Sequence, residues 1–233
     1  MERTAIVTGG TGGLGSAVVR RLLDDGWRVV VPWVIEQELD HVQLSDGLDL
    51  VQADLFEPSA VERVIRSAIA RRDAPLRGLV NLVGGFSVGG RVHETPVDEF
   101  EQQFRLNLRG TYLMIQAAVP QMLGNDPPDR GSIVCVGTRA ALQPFKGAAG
   151  YVASKAAVIA LAQAVAVEYR DDYIRCNVIL PSVIDTPANR ASMPRADHEM
   201  WVKPDQIARV ITHLLSVDSE PVNGAAIPVY GRA

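Results

Sequence analysis

Thr8-Gly9-Gly10-Thr11-Gly12-Gly13-Leu14-Gly15 is the stretch on which the fold is decided. It follows directly on the apolar run Ala5–Thr8 and opens into an amphipathic pattern over Leu14–Asp25. Five glycines in eight residues carry a high backbone-entropy cost, which makes sense where the main chain turns tightly and lets a ligand approach. A strand, a glycine turn and a helix in immediate succession aim the free N–H groups and positive dipole end of the helix at the turn, an arrangement suited to a pyrophosphate. A purely structural glycine turn is the alternative. The placement between first strand and first helix favours dinucleotide binding through Thr8, Gly9, Thr11, Gly12, Gly13, Leu14 and Gly15.

Outward from this turn, short β-branched runs alternate with longer helical patterns. Strands are predicted at Val29–Val34, Leu48–Gln52, Leu79–Val83, Ile133–Val136, Ile174–Leu180 and Ala226–Val229, in addition to Ala5–Thr8. Helices are predicted at Leu14–Asp25, Ser59–Arg71, Pro96–Met122 with a break, Val152–Tyr169 and Pro204–Leu215. The strands read as continuous apolar runs, as a parallel sheet buried on both faces requires. The reading is therefore α/β: one doubly wound Rossmann-type domain over residues 1–233, a seven-stranded, mostly parallel sheet with helices on both faces.

Composition narrows the function. Of the 233 residues, 47% are hydrophobic, enough for a large core, and 21% are charged. The net charge of −4 and the lack of a Lys/Arg cluster argue against nucleic acid or an anionic membrane as partner. Cys135 and Cys176 each lie in an apolar run and read as small buried hydrophobes rather than a redox pair. No apolar run is read as membrane-spanning, no signal peptide is read at the N-terminus, and no metal site is expected. A cytoplasmic setting follows from these readings.

Tyr151-Val152-Ala153-Ser154-Lys155 carries the chemistry. Tyrosine and lysine at i and i+4 share one helix face. A phenol with a pKa near ~10 is a poor acid–base at neutral pH, and a neighbouring ammonium lowers it. Tyr151 can then pass a proton to a carbonyl oxygen as hydride arrives, or take it back. A surface Tyr–Lys pair is the alternative.

The TGxxxGxG spacing, with Gly9, Gly13 and Gly15 in place, together with this YxxxK pattern resembles the short-chain dehydrogenase/reductase family over nearly the whole chain. The resemblance implies hydride transfer between NAD or NADP and a small carbonyl, alcohol or pterin-like substrate. Tyr151 would be the acid–base, with Lys155 also holding the nicotinamide ribose. It places Thr138 where the family has a serine, keeping a hydroxyl for the substrate oxygen; Thr138 as a mere strand terminator is the alternative. Asn107 matches a helix asparagine that holds a water in a relay from Lys155.

Further cofactor contacts implied by the family are Asp54 and Leu55 after the third strand, Asn81 and Gly84 after the fourth, and Pro181, Ile184 and Thr186 after the sixth. Asp54 reads equally as a helix N-terminal acid. Ser182 replaces a family glycine and either crowds the nicotinamide or hydrogen-bonds to it. After the second strand, where an acid would hold the adenosine ribose, stand Trp33 and Val34, so NAD and NADP are not distinguished. Trp33 either stacks near the adenine or caps the sheet edge.

The segment from about 186 to 203 reads as a short substrate lid, with Met193 and Trp201 as apolar cover and Arg190 and Arg195 as donors. Phe86 and Arg139 complete the expected substrate pocket. Trp201 tucked into the core, and Phe86 as a loop anchor, are the alternatives. Three segments, Asp185–Asp197 with Trp201, Gly137–Leu142 and Gly84–Phe86, are similar to the dihydropteridine reductase branch. That branch does without the catalytic serine but carries the acid that this chain lacks at Trp33. The family implies a homodimer or homotetramer, to which the Ala/Val-rich face Ala156–Val167 is suited; plain burial of that face against the sheet is the alternative. A catalytically impaired dinucleotide sensor is the competing reading, drawn from Trp33 and Ser182.

Overall fold

A computed structural model describes residues 3–232; Met1, Glu2 and Ala233, at the ends of the expected 1–233 domain, lie outside the described residues. Seven strands form one sheet: β1 (Thr4–Thr8), β2 (Arg28–Trp33), β3 (Leu48–Gln52), β4 (Leu76–Asn81), β5 (Gly131–Val136), β6 (Ile174–Pro181) and β7 (Ala226–Val229). Their order is β3-β2-β1-β4-β5-β6-β7, and every pairing is parallel. The helices are α1 (Gly15–Asp24), α2 (Pro58–Ala68), α3 (Val97–Phe104), α4 (Gly110–Leu123), α5 (Ala149–Glu168), α6 (Pro187–Ser192) and α7 (Pro204–Leu215).

Both faces of the sheet are covered, which is why the central strands carry Val and Ile without polar alternation. On one face Ile6, Val30, Leu79, Ile133 and Val178 pack with Val64, Met114 and Val158 of α2, α4 and α5. On the other, Val7, Val29, Val31 and Ile179 pack with Leu22 of α1 and with Ile207 and Ile211 of α7. Two buried arginines close the sheet's ends. Arg175 gives its Nη1 and Nη2 groups to the carbonyls of Leu214, Ser216, Ser219 and Val222, satisfying the C-terminal end of α7. Arg28 bonds Asp49 and the carbonyls of Ser67 and Ala68.

The element boundaries differ from the sequence reading at the places that matter for the site. β4 stops at Asn81 rather than Val83, because the Thr8 hydroxyl accepts from the N–H groups of Leu82 and Val83 and turns the chain out of the ladder. α5 begins three residues earlier than expected, so Tyr151 lies in its first turn. The break in Pro96–Met122 is a π turn at Arg105–Arg109 between α3 and α4. Segment 186–203 contains α6, which the sequence reading did not anticipate.

One expectation is corrected. α5 is 20 residues long and an 18-residue stretch of it has a mean hydropathy of 1.5, so one helix does reach membrane-spanning length and apolarity. It packs along the sheet with Val158, Ala162, Val165 and Ala166 buried, which accounts for the apolar composition within the fold.

Candidate active site

The strand order reverses between β1 and β4, and a crevice outside the C-terminal ends of these strands is where open α/β sheets bind ligands. The glycine turn lies at this point. Gly9 has φ +68°, and its carbonyl accepts from the Gly12 N–H at 3.1 Å. A Cβ on Gly15 would stand 1.9 Å from the Gly9 carbonyl oxygen, so the turn admits no side chain there. α1 starts at Leu14–Gly15 with no side-chain cap and no acid in its first turn, leaving its amide dipoles open to an anion. A Cβ on Gly13 would meet Thr186 Cγ2 at 3.0 Å, so the turn faces the segment after β6 across the crevice. The cradle without room for Cβ atoms and the uncapped helix end fit the pyrophosphate of a dinucleotide.

Tyr151, Thr138, Lys155 and Asn107 converge beside this crevice. Burial raises the Tyr151 phenol above its ordinary pKa of 10.0, and the adjacent Thr138 hydroxyl acts in the opposite direction. Thr138 also accepts from the Ala140 N–H at 3.2 Å, capping a short turn. Lys155 is 6% exposed, and its Nζ donates to the Val136 carbonyl at 2.9 Å. Burial brings its pKa down to about 8, with nearby Cys135 acting against that shift. The sequence reading has the phenol below its ordinary pKa; instead burial raises it, with only the Thr138 hydroxyl acting to lower it.

Asn107 sits on the π turn, 1% exposed. Its Oδ1 accepts from the Gly85 N–H and its Nδ2 donates to Ser154 Oγ, both at 3.0 Å. A Cβ on Gly84 would lie 2.7 Å from Asn107 Oδ1 and 3.0 Å from Lys155 Nζ. The glycine thus keeps the loop after β4 close against both side chains.

The surroundings of Tyr151 on the outer side are apolar. The Phe86 ring stands edge-on to Tyr151 with centroids 5.0 Å apart and lies 6.4 Å from Phe145. A cavity of about 370 Å³ adjoins Tyr151, lined by Val92, Val97, Phe100, Gln103 and Gly150 among others. Gln103, one helical turn before Asn107, is 6% exposed, and its Oε1 is buried with no hydrogen-bond partner among the described residues.

The chain matches the short chain dehydrogenase family profile over residues 3–197. It is 32% identical to the 2-(R)-hydroxypropyl-CoM dehydrogenase of Xanthobacter autotrophicus, across 99% of this chain and 98% of that protein. It belongs to the short-chain dehydrogenase/reductase family. Among solved structures, a 3-ketoacyl-(acyl-carrier-protein) reductase from Brucella melitensis complexed with NADH aligns with a TM-score of 0.86 at 25% identity, over 99% of this chain and 98% of that one. A blue fluorescent protein from a metagenomic library, in complex with NADPH, aligns with a TM-score of 0.83 at 28% identity, over 98% and 96%. The chain is an NAD(P)-dependent short-chain oxidoreductase of Rossmann fold.

The short-chain dehydrogenase pattern allows the remaining predicted residues to be placed. Asn81 is 4% exposed, with Nδ2 3.9 Å from Cys135 Sγ and Oδ1 without a partner among the described residues. Both cysteines are buried and unpaired. Asp54 is exposed and accepts from the Phe56 N–H at 3.0 Å, so the structure displays its turn-forming role. The Leu55 side chain belongs to the core, because an apolar group at 6% exposure is worth more there than in the crevice. Trp33 ends β2 half-buried, and its carbonyl accepts from the Ala53 N–H.

Pro181 ends β6 in register with Val229. Ser182 Oγ donates to the Tyr230 carbonyl at 2.7 Å, so the hydroxyl holds the C-terminal segment. Ile184 bridges to Val202, and Thr186 caps α6 by accepting from the Asn189 N–H. In the segment after β6 Arg190 pairs with Asp185, whose carboxyl it holds below the usual carboxylate range. Met193 is 38% exposed, whereas Trp201 is 8% exposed and packs its ring 4.5 Å from that of His198. Trp201 therefore anchors the end of this segment, the outcome favoured by its large apolar ring. Arg139 donates to Gln143 Oε1 at 2.9 Å and lies over the Tyr230 ring.

The sequence reading missed Gln103, Ser154 and Glu38. Ser154 stands inside the YxxxK pattern and tethers Asn107. Glu38 accepts from Thr11 Oγ1 of the glycine turn. No local sequence signal marks this contact, which spans 27 residues.

Proposed function

We propose that the chain interconverts a secondary alcohol and a ketone, or reduces a comparable planar substrate, with Tyr151 as proton donor and acceptor. The observation that carries this reading is the half-buried Tyr151 phenol, placed between the Thr138 hydroxyl and a cavity of about 370 Å³. A phenol that stays protonated at neutral pH suits donation to a developing alkoxide. Thr138 holds the substrate oxygen and orients it toward Tyr151. Lys155 and Asn107 position the nicotinamide ribose and the water that returns the proton. Bound along the crevice, the nicotinamide ring supplies or takes up the hydride.

Phe86, Val88, Val92, Phe100 and Phe145 are exposed apolar side chains on the loops around the cavity and on α3. They favour a substrate whose carbonyl carries an apolar or aromatic arm. The names of two relatives, a hydroxypropyl-CoM dehydrogenase and a 3-ketoacyl reductase, support hydroxyl–ketone chemistry. Residues 186–203 serve as a lid whose base is fixed by Trp201 and whose tip presents Met193. A groove of about 460 Å³ on the outer face of α4 and α5, lined by Phe104, Leu108, Tyr112 and Leu161, suits a second copy of the chain. The two buried free thiols suit a reducing, cytoplasmic setting.

The test is a fluorescence titration with NADH and NADPH. Turnover assays follow on simple ketones, a β-ketoacyl thioester and quinonoid dihydropterin. Reduction of a ketone or thioester supports the reading, and reduction of the pterin alone replaces it with the dihydropteridine branch. Cofactor binding with no turnover of any of them supports a nucleotide sensor instead.

A further inference from the structure

The loop after β4 and the loop before α5 are clasped together, with the Gly89 N–H donating to the Gly147 carbonyl at 2.9 Å. Gly147 has φ +82°, and a Cβ there would stand 2.6 Å from the Gly89 carbonyl oxygen, so the clasp requires glycine. Both glycines line the cavity of about 370 Å³ that adjoins Tyr151, and Val92, Val97 and Phe100 give it apolar walls. Where α3 meets α5, a Cβ on Gly150 would lie 3.1 Å from Gln103 Cγ, so this glycine leaves room for the Gln103 side chain. Gln103 lines the cavity, is 6% exposed, and has no hydrogen-bond partner for its Oε1 among the described residues. Asn107, one turn later, has both ends of its amide bonded. Thr95, also in the lining, donates its hydroxyl to the carbonyls of Gly90 and Arg91. Among the described residues of the lining Glu99 is the one charged side chain; Arg91 and Lys146, in the two loops, are not part of it.

We propose that this cavity is a specificity subsite for the arm of the carbonyl substrate, in which Gln103 selects an arm carrying a neutral hydrogen-bond donor, an amide N–H or a hydroxyl. Tyr151 lines the same cavity, so an arm held there leads to the reacting carbonyl. An acceptor buried without a partner has lost its hydration with no bond in exchange. A donor on the arm makes that bond, whereas an ester oxygen or a methylene at the same place leaves it unmade. A site that hydrogen-bonds a substrate N–H or O–H rejects the analogue lacking it more strongly than apolar contact can. A carboxylate or phosphate on the arm would face Glu99 with no cation in the lining to balance it.

This inference rests on the reading of Tyr151 as the acid–base of a ketone reductase, and the experiment separates the two. Methyl ketones bearing a terminal acetamido group on spacers of increasing length are compared with acetate esters of the same length, which lack the N–H. Steady-state constants are measured for wild type, Gln103→Leu and Val92→Phe with whichever nicotinamide cofactor supports turnover. At the best spacer, wild type should show a KM for the amide at least ~10-fold below that for the ester, the size of one satisfied buried acceptor, with kcat differing little. Gln103→Leu should bring the ratio of the two KM values close to one. Val92→Phe, at an exposed position of the lining, should raise KM for ketones with an arm relative to a ketone without one, and it keeps the test decisive if Gln103→Leu does not fold. Equal KM values in wild type at every spacer, a ratio that persists in Gln103→Leu, or a Val92→Phe variant that ranks the ketones as wild type does, overturns this inference alone. Folded wild type that reduces no ketone overturns the underlying reading and this inference with it.

Discussion

The Lys155 ammonium donates to the carbonyl oxygen of Val136 at 2.9 Å, tying the lysine of α5 to the last residue of β5. A single carbonyl is a meagre partner for a buried charge, and the pKa near 8 expresses that cost.

Replacement of Lys155 should separate stability from function. The folded-state pKa of about 8 lies below the ordinary 10.5, so between these values the native state binds fewer protons than the unfolded one. Stability conferred by the lysine site therefore rises with pH through that window, and below it the full cost, about 3 kcal/mol, is present. Lys155→Met should be roughly 1–3 kcal/mol more stable at pH 7 after allowing for the orphaned Val136 carbonyl. Its advantage should shrink as pH climbs from 8 toward 10.5, while turnover is lost. Chemical denaturation of both proteins across that range checks it.

Gly84→Ala should damage the site more than the fold. The new Cβ would enter the space of Asn107 Oδ1 and Lys155 Nζ, both within 3.0 Å. Overpacking of this kind costs about 1–3 kcal/mol. Because the atoms displaced are those of the two positioning side chains, kcat should fall on the order of 10-fold or more. Steady-state kinetics beside a melting curve distinguishes that from simple unfolding.

Gln103→Leu tests whether the unpaired amide reads the substrate. Removing a buried polar atom without a partner is neutral or stabilising. The melting temperature should hold or rise. A changed KM with kcat nearly constant would show that Gln103 contacts the substrate's distal part; unchanged kinetics would confine the amide to packing.

Arg175→Met should lower stability by about 1–3 kcal/mol, since four carbonyls lose a common charged donor while each keeps another partner. The residue lies at the opposite end of β6 from Pro181. Cofactor affinity of the folded fraction should therefore stay unchanged, as isothermal titration would record.

The parts of this molecule legible in the sequence are those governed by local rules. The run of apolar strands, the glycine turn and the i, i+4 pairing of Tyr151 with Lys155 follow from burial on both sheet faces and from helix periodicity. What stayed hidden depends on chain segments meeting in space. The Thr8 hydroxyl that ends β4 acts across 74 residues, and Ser182 finds Tyr230 across 48. The contact of Glu38 with Thr11 spans 27 residues and depends on how the chain after β2 folds back on the glycine turn. The break in the long helix pattern was visible, but only the structure reveals it as a π turn that presents Asn107. The raised phenol is likewise tertiary: it follows from how deeply packing buries Tyr151, which helix spacing does not reveal.

The most direct test of the central claim is hydride transfer by Tyr151→Phe, followed by nicotinamide absorbance with a ketone substrate turned over by wild type. Removing the hydroxyl leaves the ring and its edge contact with Phe86, so folding and cofactor binding should persist. Turnover should fall at least ~10²-fold, the scale of a lost acid–base group. A variant that binds cofactor and reduces substrate at the wild-type rate would contradict the assignment of Tyr151 as proton donor.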